Sequence, residues 1–119
     1  MTNVTRLPIV TLFGDSISAG YGLRPIESLP VRLQGALQAL GCEANIVAAG
    51  VDGDTLGDGL ARIDRDVDDQ TDLCIVALGA NDLMQARPTS TIKGDLDAIL
   101  DNLSARGIPA MICGMRAPP

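Results

Sequence analysis

Four short apolar runs constrain this chain more than any other feature: PIVTLF (8–13), ANIVAA (44–49), LCIVAL (73–78) and PAMICG (109–114). None alternates polar with apolar residues, which is the pattern of parallel strands covered on both faces. Three segments of helical period lie between them. In 28–40, Leu29, Leu33, Leu37 and Leu40 share a stripe, with Ser28 as N-cap and Gly41 as stop. In 55–69, Leu56, Leu60, Ile63 and Val67 do the same after Asp54 or Thr55 as cap. In 91–106, Ile92, Leu96, Ile99, Leu100 and Leu103 line up, and Gly107 ends the helix. The order βαβαβαβ predicts right-handed crossovers and an α/β fold in three layers, a doubly wound parallel sheet.

With 119 residues the chain has room for one hydrophobic core, and 46% hydrophobic content makes it globular. Aromatic residues are only 2% of the chain, so Leu, Ile, Val and Ala must build that core. No apolar run reaches the roughly 18 residues of a membrane span. The start, MTNVTRLP, is polar and leads straight into the first strand, unlike a signal peptide. That reads as cytoplasmic, although a periplasmic protein whose leader had been removed would look the same. A net charge of −6 with scattered Lys and Arg disfavours nucleic acid as a partner. Cys42, Cys74 and Cys113 form no metal-binding spacing, and their odd number gives no disulfide framework. Cys74 and Cys113 lie inside apolar runs and are expected in the core.

In doubly wound sheets, ligands bind beyond the carboxyl ends of the strands. The polar and glycine-rich loops gather there: Gly14-Asp15-Ser16, then Gly50 to Thr55, then Gly79-Ala80-Asn81-Asp82, then Met115-Arg116. Acyl transfer needs a nucleophile and N–H donors aimed at the developing oxyanion. Ser16 is a candidate nucleophile. Its own N–H, the Gly53 N–H and the Asn81 amide are candidate donors, glycine allowing close approach of backbone and asparagine donating without charge. Each residue also has a plain structural explanation. Ser16 can cap a helix, Gly53 can serve a turn, and Asn81-Asp82 can be a capping pair. Asp15, Asp52, Asp54 and Asp82 on the same edge could instead hold a divalent cation.

The three blocks FGDSISAGYGL (13–23), AGVDGDTLGDGL (49–60) and ALGANDLM (77–84), in this order, resemble the SGNH hydrolases, also called GDSL esterases and lipases. Among these the chain is most similar to the bacterial arylesterase and acyl-CoA thioesterase I group. The resemblance implies a flavodoxin-like sheet, a Ser16 nucleophile, and an oxyanion hole formed by Ser16 N–H, Gly53 and Asn81. It also implies that Asp15 braces the nucleophile loop. The implied substrate is a small acyl ester or thioester, with no cofactor and no metal. The family's last block, Asp-x-x-His, has no counterpart, since the chain contains no histidine. Residues 1–119 are therefore expected to be the N-terminal part of a single domain, nearly inactive alone.

Packing leads to the same expectation. In the order 2-1-3-4-5 the fourth strand would be a terminal edge, apolar and unpaired, and such edges invite association. Pairing with a missing C-terminal segment, or association through that edge, would cover it. Two other functions fit this architecture. One is a non-catalytic ligand-binding member of the same fold. The other is a receiver-type phospho-acceptor domain, which needs a lysine after a fifth strand, whereas the chain has only Lys93.

Overall fold

A computed structural model describes residues 6–15, 24 and 27–113. The elements run β1 (Ile9–Gly14), α1 (Leu29–Ala39), β2 (Asn45–Gly50), α2 (Leu56–Asp66), β3 (Leu73–Ala77), α3 (Ala80–Met84), α4 (Thr89–Ala105) and β4 (Ala110–Ile112). All strand pairs are parallel, in the order β2-β1-β3-β4. The expected doubly wound α/β sheet is therefore present, and each apolar run became a strand within two residues of its expected bounds.

Register divides the sheet into two faces. Phe13 pairs with Ala49 and Val76, so these three share a face; Leu12, Ala48 and Ile75 share the other. On the first face, Phe13, Cys74 and Val76 join Leu56, Ile63 and Val67 from the α2 segment and Ile99 and Leu103 from α4 in one buried cluster. Right-handed crossovers place α1 on the opposite face, where it packs against β2. Central β1 is buried on both sides, which explains its unbroken apolar run. Its one polar interior residue, Thr11, is satisfied by a 2.8 Å hydrogen bond between its hydroxyl and that of Thr71.

Helix ends follow the local sequence. Thr55 caps α2 in a full capping box: its Oγ1 accepts from Asp58 N–H, and the Asp58 carboxylate accepts from Thr55 N–H. This helix ends at Asp66, short of residue 69, because Val67 turns to extended backbone; Val67 still buries its side chain completely.

Two expectations need correction. The leucine stripe of α1 is not buried: no α1 residue is, and Leu40 is 78% exposed. The helix lies over edge strand β2, which offers it little width to pack on. Cys74 is buried as expected, but Cys113 is exposed, because it follows the outer strand β4, whose own residues are all exposed. The outer strand itself is open, with Met111 and Ile112 about half exposed. Among the described residues no helix is long and apolar enough to cross a membrane.

Candidate active site

Among the described residues, Asp15, Gly53, Asn81 and Asp82 lie at the carboxyl edge of the sheet, beyond Gly14, Gly50 and Ala77. Ser16 lies outside the described residues, as do Met115 and Arg116. Asp15, one residue before Ser16, is buried at the end of β1. Gly53 sits at the turn after β2 with φ +80°, in the left-handed region where a side chain is strained. Among the described residues no atom lies within 4 Å of where its Cβ would be, so it is the backbone conformation that calls for glycine there.

Asn81 is in α3, a one-turn helix absent from the periodicity because five residues are too few to show one. Gly79, at φ +127°, turns the chain into it. The Asn81 amide Nδ2 donates a 2.9 Å hydrogen bond to the backbone carbonyl of Asp54, the residue after Gly53. An asparagine amide carries two N–H groups. One is thus committed to the Gly53 loop, which fixes the orientation of the other. Next to it, Asp82 is completely buried: Oδ2 accepts Leu56 N–H at 2.9 Å, and Oδ1 accepts Arg87 Nη1 at 3.0 Å. A carboxylate at the first residue of α2 suits the positive end of the helix dipole. Asn81 and Asp82 together staple α3 to the loop after β2.

The residue that sequence reasoning missed is Arg62. It lies in α2 and is only 7% exposed. Its Nε donates to Asp54 Oδ2 at 2.6 Å, Nη2 to Gly14 O at 2.8 Å, and Nη1 to Ala49 O at 2.9 Å and Asp66 Oδ2 at 3.1 Å. Its guanidinium also stands 4.4 Å from the centre of the Phe13 ring, within cation–π range. The available signal was position: Arg62 follows Gly59 by three residues and precedes Ile63, inside the buried arc of α2.

The alternative of a cation held by Asp15, Asp52, Asp54 and Asp82 finds little room here. Asp54 and Asp82 are engaged with arginines, and among the described residues no three His, Cys, Asp or Glu side chains gather as a metal site. Lys93, the only lysine, is exposed and paired with Asp97.

Comparison with known proteins places this edge in context. The model of the GDSL-like Lipase/Acylhydrolase family matches residues 12–119. An arylesterase of Vibrio mimicus is 34% identical over 109 residues, covering 91% of this chain and 54% of that protein. Esterase TesA of Pseudomonas aeruginosa is 28% identical over 120 residues, covering 100% of this chain and 60% of that protein. The crystal structure of AlinE4, an SGNH-hydrolase family esterase, superimposes with a TM-score of 0.89 at 43% identity, covering 96% of this chain and 62% of that one. The chain thus spans between half and two thirds of the length of these relatives. The family match begins within β1 and runs through all three loops of the carboxyl edge, and on that ground the chain belongs to the GDSL-like lipase/acylhydrolase family.

Proposed function

We propose that this protein is a serine hydrolase of carboxylic esters or thioesters, with Ser16 as nucleophile and Ser16 N–H, Gly53 N–H and Asn81 Nδ2 as oxyanion donors. The observation that carries the reading is the hydrogen bond from Asn81 Nδ2 to Asp54 O. It draws the asparagine of the third sequence block onto the glycine loop of the second, beyond the strand that leads to Ser16. In the reaction, Ser16 Oγ attacks the acyl carbonyl while a general base takes its proton. The collapsing tetrahedral intermediate expels the alcohol or thiol, which receives that proton, and water then releases the acid from the acyl-enzyme. Each oxyanion donor contributes roughly 3–4 kcal/mol to the transition state.

The chain has no histidine to act as base. The base is assigned to a C-terminal segment outside these 119 residues, so this chain alone is nearly inactive. Loss of one triad member costs ~10⁴–10⁶-fold in turnover. The test compares p-nitrophenyl acetate hydrolysis by the 119-residue chain, by the full-length protein, and by full-length Ser16→Ala. Full-length activity that Ser16→Ala abolishes supports the proposal, as does labelling of Ser16 by a fluorophosphonate. A full-length protein that binds acyl ligands but neither turns over nor takes the label would be a non-catalytic member. Ordinary enzyme rates from the 119-residue chain would refute the assignment of the base.

A further inference from the structure

We propose that Arg62 is a positioning residue, which fixes the end of β1, the strand that leads to Ser16, relative to the loops that carry the oxyanion donors; this rests on the esterase reading above. A charged side chain in a core of aliphatic residues carries a desolvation penalty that must be offset by its partners. The partners of Arg62 are not scattered. Gly14 O is the last carbonyl of β1, two residues before Ser16, and Ala49 O lies near the end of β2. The Asp54 carboxylate belongs to the residue after Gly53, and the carbonyl of that same residue accepts the Asn81 amide. One guanidinium therefore ties the strand that leads to the nucleophile to the residue that anchors both oxyanion loops.

The shape of the group matters as much as its charge. Arginine offers five N–H donors in one plane, and here Nε, Nη1 and Nη2 all donate while the plane stands over Phe13. Lysine has a single nitrogen and does not offer donors on three separate atoms of one plane. The ring of Phe13 sits in β1 immediately before Gly14, so the stacking contact restrains the same stretch of backbone as the Gly14 hydrogen bond. Misplacing reacting groups by about 1 Å costs on the order of 10²-fold in rate. Removing Arg62 frees β1 and the Gly53 loop to move by such amounts while leaving the substrate-contacting residues chemically intact.

The experiment uses the full-length protein, with Arg62→Lys, Arg62→Met and Asp54→Asn. Active sites are counted by fluorophosphonate titration, and rates are measured well below each variant's unfolding midpoint. The expected result for Arg62→Met is a kcat per titrated site lower by about 10²-fold, with a much smaller change in KM. Arg62→Lys, which keeps the charge but not the fork, should fall between it and the wild type. Asp54→Asn keeps the side-chain volume and the backbone carbonyl; it should lower kcat by less than Arg62→Met, and it carries the test if Arg62→Met does not fold. Variants that melt earlier but keep wild-type kcat per site would overturn the proposal, since a merely structural role predicts that pattern. Absence of Ser16-dependent turnover in the wild type would instead fail the esterase reading, and this inference with it.

Discussion

Gly59→Ala tests how closely α2 is seated on the sheet. A Cβ at Gly59 would lie 2.6 Å from Leu78 Cδ1 and 3.3 Å from Phe13 Cε2. Carbon atoms prefer about 3.5–4.0 Å, so Leu78 must retreat by roughly 1 Å, inside a core that holds both it and Phe13 buried. Overpacking of this kind costs about 1–3 kcal/mol. Against it stands the helix preference for alanine over glycine, about 0.8–1 kcal/mol. Overpacking is the larger effect, and the net expectation is a loss of about 1 kcal/mol, with a fall in the melting temperature of roughly 3–5 °C for a domain of this size. Gly94→Ala is the control, because Gly94 is exposed in α4 with no atom of the described residues within 4 Å of its would-be Cβ. There the preference acts alone, and stability should rise by up to about 1 kcal/mol. Both are measured by urea denaturation and thermal melting. Equal stabilisation by the two substitutions would refute the close approach of α2 to Leu78.

Three further outcomes are expected. Asp82→Ala strands the Leu56 N–H and one arm of Arg87. Breaking a buried pair costs about 3–5 kcal/mol, and the partial exposure of Arg87 moves the expected loss toward the lower end; Asp82→Asn, which still accepts from Leu56, should lose less in urea titration. Burial pushes the Cys74 thiol up to about 11, while Cys42 and Cys113 are exposed. Ellman's reagent at pH 8 should therefore count two thiols in the native protein and three in denaturant, and three fast thiols would contradict the packing of β3. Asp72 is held below the usual carboxylate range by the Ile9 N–H and then Arg6, and Asp66 by Arg65 and also by Arg62. Their folded values lie below the unfolded value of about 3.9, so their contribution is complete above that pH and is lost as pH falls through the lowered values. Urea midpoints should drop below about pH 4, and a flat profile from pH 5 to pH 3 would contradict these pairings.

The succession of four parallel strands and three longer helices was legible because two periods differ sharply: unbroken apolar runs for doubly covered strands, and three-four spacing for helices; α3 was too short to show either. The termini followed local chemistry, as the Thr55-Asp58 capping box shows. What failed was the inference from stripe to burial. Leu33 and Leu37 have the spacing of a core face, yet α1 lies over an edge strand with little surface to offer. Gly53 and Asn81 were legible as candidates, but what holds their loops was not. Gly53 and Asn81 stand out because their residue types suit close approach and uncharged donation, whereas an arginine among helical leucines reads as solvent-facing. Only the fold shows that Arg62 reaches past α2 to the ends of two strands.

That reach has a physical reason in the sheet itself. Each carbonyl oxygen at the carboxyl end of a parallel sheet has two lone pairs, of which the ladder uses one, and the other is open to a side-chain donor. Gly14 O has Val51 N–H at 3.1 Å and Arg62 Nη2 at 2.8 Å. Water could satisfy such carbonyls as well, but it would leave β1 and the loop after β2 free to move relative to each other. A buried guanidinium meets the same need with donors fixed to α2, a helix packed on the main core and tied to α3 through Asp82. The charge also demands an anion, and Asp54 supplies it from within the loop that carries Gly53. Satisfying the strand ends and fixing the loop are thus one arrangement. A variant that satisfies the carbonyls with water should keep the fold and lose the spacing.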